Sequence, residues 1–424
     1  MRGLVFVLIV LLAFACNGGG EEGLRTATPA PSPAATATAT GTATATPAVA
    51  QTPLGPQQPV ALEEGVSITE AGAYLAEVAT GRLWRLGEGG RVWSPDGNAL
   101  LSWGCCVGRG GLDVIAVPEG PAVRLVNGDM ADAAWSTDGT QIYFSPAEGS
   151  LPAGLYAINR DGSGLKQVWN WRSAGIEWSP SGDRIAFWSW DHLKLLDVAS
   201  GEITEVAADH AAFVAWSPAG RQLAFVSDGG LCLYQPDTGE RRQLAAGESG
   251  GPVLWSPDGS RIAFPLGPRI AMTYGGYAHD PQVGPRLFQV VEVDGPTEPK
   301  PLPPARSPSW SPDGTSVTYL SEGCITGDWD IYTVRPDGSS ATPLTNTPDS
   351  AKEGPVRSPV GSAIAFSTLD KLMVVDADSR QLRTLAVSDA LATIGAPLHL
   401  HGSNWSPDGR YITFFVGGAH GICD

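Results

Sequence analysis

Five imidazoles, four indoles and one serine are the side chains whose spacing could do chemistry in this chain. His399 and His401 stand two residues apart, so both point the same way if that stretch is extended, and His420 follows in the same repeat unit. Together they could hold a divalent metal. No cysteine or carboxylate at ligand spacing accompanies them, and single histidines on polar loops are ordinarily just solvated. Trp169, Trp171, Trp188 and Trp190, with His192 and His210 close in sequence, could form an aromatic platform for sugar rings or peptide side chains. The competing use of such rings is to cap the wedge between neighbouring sheets. Gly247-Glu248-Ser249-Gly250-Gly251 matches the Gly-x-Ser-x-Gly pattern of a hydrolase nucleophile elbow. That elbow joins a strand to a helix, whereas here the residues join two strands and no helix follows. No phosphate loop, Cys-x-x-Cys pair or dinucleotide fingerprint is present, and no cofactor is expected.

The elements that position these residues are set by a repeat. Trp-Ser-Pro-Asp-Gly stands at Trp93, Trp255, Trp310 and Trp405, with near copies at Trp135, Trp178 and Trp216 and an eroded copy, Arg-Ser-Pro-Val-Gly, at Arg357. The intervals are 42, 43, 38, 39, 55, 47 and 48 residues, a period in the range of β-propeller blades. Each copy lies between two short apolar runs, as in Phe213-Val214-Ala215-Trp216 and Gln222-Leu223-Ala224-Phe225. That pattern reads as strand, tight turn, strand. Pro presets φ at the first central turn position, Asp suits the second, and Gly takes the left-handed position that closes the turn. A second hairpin follows in most units, such as Leu155 to Ile158 turning at Asp161-Gly162. The unit is therefore four antiparallel strands, a to d, with the motif at the a–b turn.

Eight copies imply an all-β, closed eight-bladed propeller, with a seven-bladed ring and an inserted Arg357 unit as the alternative. The last copy leaves room only for strands a and b, and the first is preceded by an orphan hairpin at Ala73–Val78 and Arg82–Leu86. N-terminal strands c and d are expected to complete the blade begun near Trp405, which removes exposed sheet edges. In this strand order the d–a and b–c loops emerge on one face and the a–b and c–d turns on the other. All six His and six of the seven Trp outside the motif fall in or beside the d–a and b–c loops. Loops on a rigid scaffold are where binding residues collect.

The units over roughly residues 70–424 resemble TolB-like propeller repeats, the WD-like repeats of bacterial envelope proteins. The TolB pattern has six blades and an extra N-terminal α/β domain. This chain has more repeats and a low-complexity segment in place of that domain, so the partner contacts of that family do not carry over.

Residues 1–16 resemble a bacterial lipoprotein signal: Arg2, an apolar run from Leu4 to Phe14, then Ala15-Cys16. Lipidation of Cys16 is expected, with a transmembrane anchor as the alternative; the run is short for a span. Residues 17–60 are rich in Thr, Ala, Pro and Gly and read as a disordered tether, leaving residues 61–424 as the propeller. The formal charge of −17 and a pI near 4.7 make nucleic acid an unsuitable partner. Five cysteines remain after Cys16. Cys105 or Cys106 is expected to pair with Cys423 across the closing blades, with free thiols as the alternative, and Cys232 reads as a buried small hydrophobe.

These features point to a monomer held by an N-terminal lipid on the outer membrane facing the periplasm, or on the outer face of the cell membrane. Its expected role is a non-enzymatic binding module for an envelope protein, peptide or glycan. The alternatives are a metal-assisted hydrolase or other enzyme at the channel mouth, using His399, His401 and His420, and a scaffold of an envelope complex.

Overall fold

The computed structural model describes residues 59–62, 67–87, 90–103, 110–147, 151–170, 175–189, 192–208, 211–247, 251–265, 287–295, 298–322, 329–346, 352–388 and 399–417. They form eight antiparallel sheets with no helix among the described residues. Seven sheets run a-b-c-d in chain order, and blade 1 is typical: Gly90–Trp93, Ala99–Trp103, Gly111–Ala116 and Ala122–Asn127. The Arg357 unit is a full blade, with strands from Glu353–Arg357 to Leu382–Val387, so the ring has eight blades.

Blade 8 is made from both chain ends. His399–Trp405 and Tyr411–Gly417 supply strands a and b, and Gly72–Glu77 and Leu83–Gly87 supply c and d. Tyr74 pairs with Phe414 in register, and their rings stack with centroids 5.7 Å apart. Two features here have no signature in the repeat. Val60–Ala61 adds a fifth, outermost strand against Leu83–Gly87, starting at the expected end of the tether. Ile68, 2% exposed, then bridges in parallel to Ser388 at the end of blade 7, so this N-terminal stretch ties two blades together.

The core consists of eight apolar clusters, each filling the wedge between two adjacent blades. The last of them joins Leu75, Trp84 and Leu86 of blade 8 to Trp93, Leu100 and Ile115 of blade 1. This cluster closes the ring. Sheets that alternate their side chains between two neighbours must be apolar on both faces, which is why strands such as Leu223–Ser227 are buried at every position.

The motif turn is a hydrogen-bonded unit. Gly97 N–H donates to Ser94 O at 2.9 Å, and Ser94 Oγ donates to Asp96, which in turn accepts Asn98 N–H at 3.1 Å. Ala99 N–H returns to Ser94 Oγ at 2.9 Å. The same set recurs at Ser136, Ser256, Ser311 and Ser406. In blade 3 Asp183, two residues later, takes the place of the missing Asp and accepts from Ser179 at 2.8 Å. All eight turn glycines have φ between 68° and 75°, where a Cβ would be strained. Most also lie against the turn of the preceding blade: a Cβ on Gly259 would come 3.6 Å from Pro218, and one on Gly97 would come 3.8 Å from Pro407 across the seam.

Removing residues 403–424 should be far more damaging than excising the segment between Pro265 and Phe288. It strips the partner strand from Gly72–Glu77, removes Tyr411 from the wedge with blade 1, and opens the wedge with blade 7 that buries Trp405, Ile412, Phe414 and Val416, each worth about 1.5–3 kcal/mol of burial. Thermal melts should show loss of the cooperative transition or a fall of tens of degrees; equal melting temperatures for the two deletions would contradict ring closure.

Candidate functional site

The connections differ sharply between the two faces. On the a–b and c–d face no stretch between consecutive described strands exceeds seven residues. On the other face the next described strand after Pro265 begins at Phe288, that after Val387 at His399, and that after Pro343 at Glu353. The stretches longer than seven residues between consecutive described strands a to d therefore share one face.

Four of the non-motif tryptophans at that face are described, and each is half-buried at the mouth of a wedge. Trp103 packs on the wedge of blades 1 and 2, Trp169 on 2 and 3, Trp188 on 3 and 4, and Trp329 on 6 and 7. Trp169 and Trp188 thus lie on opposite sides of blade 3 and do not share a surface. Trp188 lies flat on Gly175, where any Cβ would collide with its ring. Trp169 meets Phe187 at a ring distance of 6.2 Å and carries Lys194 Nζ over its face at 5.8 Å. Lys194 also donates to Glu205 at 2.8 Å, and His192 Nδ1 lies 3.2 Å from the same carboxylate. The Lys194 hydrogen bond is the main reason that the Glu205 carboxyl titrates low. Arg306 stacks 4.3 Å over Trp329, and the fully buried ammonium of Lys352 pairs with Asp330 at 2.9 Å and donates to Trp329 O.

Trp171, Trp190, His210, His420, Cys105, Cys106 and Cys423 lie outside the described residues, as do residues 248–250 of the Gly-x-Ser-x-Gly run. His399 and His401 occupy strand a of blade 8, but their side chains also lie outside the described residues. Among the described residues no group of three metal-binding side chains converges. Cys232 is a buried thiol, 3.4 Å from Ser227 Oγ and 3.7 Å from an Arg241 guanidinium nitrogen.

A second site, at the inner edge of the ring, escaped the reading of the repeat. The inner strands of blades 3, 4 and 5 border a cavity of about 290 Å³, lined by Glu177, Trp178, Phe213, Val214, Ala215, Trp216, Pro252 and Val253 among others. Burial, reinforced by nearby Asp132, raises the Glu177 carboxyl to about 7. Burial raises Asp132 to about 6, even though Ala133 N–H and Ile176 N–H donate to it at 2.8 and 3.0 Å. Phe213 holds a left-handed backbone, φ 52°, at a bulge where blades 7 and 8 use Gly354 and Gly402. Aligning the eight inner strands exposes the signal. Three residues before the motif stand Gly90, Asp132, Gly175, Phe213, Pro252, Ser307, Gly354 and Gly402. One residue before it stand Val92, Ala134, Glu177, Ala215, Leu254, Ser309, Val356 and Asn404. Each row contains a single ionisable side chain.

No protein-family model matches the chain, and no curated protein matches it. Solved structures do. Porphyromonas gingivalis dipeptidyl peptidase 4 is 13% identical, with a TM-score of 0.56 over 76% of this chain and 55% of that one; the match spans about half of the peptidase. The C-terminal WD40 domain of Sif2 is 13% identical, with a TM-score of 0.51 over 84% of this chain and 99% of that one. The dihydro-heme d1 dehydrogenase NirN is 17% identical, with a TM-score of 0.51 over 78% of each chain. At such identities the likeness shows the propeller fold alone.

Glu177 makes a pH prediction. Its carboxyl is raised in the folded state, so the fold holds more protons than the unfolded chain, and stability falls as pH rises from about 4.5 toward about 7. Glu177→Gln, a mimic of the protonated acid, should leave the melting temperature unchanged at pH 4.5 and raise it by roughly a few degrees at pH 8. An equal shift at both pH values would show that charge is not the cause.

Proposed function

We propose that this chain is an extracytoplasmic, lipid-anchored propeller that binds an envelope protein, peptide or glycan through its loop-rich face. One observation carries the reading: the stretches of more than seven residues between consecutive described strands a to d all fall on a single face, where Trp103, Trp169, Trp188 and Trp329 pack on the wedges. A rigid ring with variable loops on one side is a recognition scaffold. The fold does not choose between binding and catalysis, since propellers of the same shape include a peptidase and a WD40 domain. The N-terminal signal with Cys16 and the tether of residues 17–60 supply the anchor and the reach.

Full-length protein on peptide and glycan arrays should show binding that Trp171→Ala with Trp190→Ala weakens more than tenfold. These two are chosen because Trp169 and Trp188 are tied into wedges, where truncation would also disturb packing. Unchanged binding by the double variant would remove the aromatic contribution at this face. Cys16→Ala should move the protein from the membrane to the soluble fraction; continued sedimentation with membranes would refute the lipid anchor.

A further inference from the structure

The inner cavity of blades 3, 4 and 5 has a chemistry of its own, separate from the loop-rich face. At about 290 Å³ it lies at the lower limit of small-molecule pockets and has room for a small organic group. Among the described residues its wall carries one ionisable group, Glu177, and no lysine or arginine. The Glu177 carboxyl accepts no hydrogen bond from any described residue, whereas Asp132 behind it takes two backbone donors. A carboxylate set in a wall of Val214, Ala215, Pro252 and Val253 without a donor is unfavourable unless it is protonated or meets a cation. With a second carboxylate nearby and no compensating base, an anionic ligand is disfavoured. A divalent metal is poorly served as well, because hard cations seek six or more oxygen ligands. A monovalent organic cation requires only the one carboxylate, with inner-strand carbonyls and apolar side chains around its stem.

We propose that this cavity binds a primary ammonium group on a short apolar stem, with Glu177 as its counter-ion. The ammonium comes from a free amine or from a lysine side chain of a partner. The proposal stands apart from the loop-face reading, and either can fail without the other.

The test uses the full-length protein with n-butylammonium chloride as probe, and n-butanol and sodium chloride as controls. Binding is followed by calorimetry and by the fluorescence of Trp178 and Trp216, which line the cavity. Butylammonium should bind saturably and neither control should. Glu177→Gln should weaken binding at least tenfold while keeping the native circular dichroism spectrum. Ala215→Leu, which fills the cavity without altering charge, should abolish binding. Glu292→Gln, in a groove between blades 5 and 6, should leave it unchanged. A lysine-bearing peptide run alongside separates the sources: tighter binding than butylammonium assigns the cavity to a partner's side chain, weaker binding to a free amine. No saturable binding of butylammonium, equal responses to sodium chloride or butanol, or undiminished binding by Glu177→Gln would each overturn the proposal.

Discussion

Five indole N–H groups, those of Trp135, Trp216, Trp255, Trp310 and Trp405, cross from their own blade to the inner strand of the preceding one and donate to its backbone at 2.9–3.2 Å. The acceptors are the carbonyls of Val92, Glu177, Ala215, Leu254 and Val356, each one residue before that blade's own motif. A single bond of this kind contributes about 1 kcal/mol net, less than burial of the ring itself. Its larger effect is geometric. Apolar wedges are non-directional and would let one sheet slide on the next. A donor at the tip of a rigid ring fixes the offset between inner strands, and the offset propagates around the wheel. Where the motif is eroded, Arg357 keeps the direction of the contact and reaches back to Thr318 and Ser316 of blade 6. Trp93 and Trp178 leave their indole nitrogens buried without a partner. Trp93 sits at the seam, where ring stacking on Tyr411 at 6.3 Å and the cluster around Trp84 provide the contact instead.

Much of this architecture was legible because the information is local and repeated. Turn chemistry at Ser94-Pro95-Asp96-Gly97 is written in four adjacent residues, and eight copies at one period specify the blade. Closure was legible for a related reason: an orphan hairpin at one end and a half-blade at the other are complementary deficits. The Val60–Ala61 strand and the Ile68 bridge were not legible. Neither repeats, and a two-residue strand has no hydrophobic period to detect. The loop-face tryptophans were legible as a set, but their division between wedges was not. Which side of a blade a ring takes depends on strand parity through loops of irregular length, and that parity puts Trp169 and Trp188 back to back across blade 3.

Asp132 and Glu177 teach a complementary lesson. Searching for motifs rewards what recurs, whereas these carboxylates stand out only as exceptions within a recurring frame. The inner-strand positions otherwise hold Gly, Ala, Val, Leu, Pro, Ser, Phe or Asn, residues that fit a narrow axial space. A charge there is costly to the fold, as the raised titration of both groups shows. The turn aspartates behave in the opposite way. Asp258 and Asp313 are held at about 2 by serine hydroxyls and backbone amides. One set of carboxylates is therefore integral to the scaffold, and the other sits in it at a cost.

The seam in blade 8 also has a temporal meaning. The strand Gly72–Glu77 is synthesised more than 330 residues before its partner Tyr411–Gly417. At translation rates of roughly 5–20 residues per second, the interval is on the order of 20–70 seconds. Throughout it, a strand rich in apolar side chains has an idle edge, and pairing it with the correct mate must overcome the entropy of closing a loop of more than 330 residues. The wheel therefore cannot shut until Tyr411–Gly417 has been made, and the edge of Gly72–Glu77 has to be kept from other partners until then.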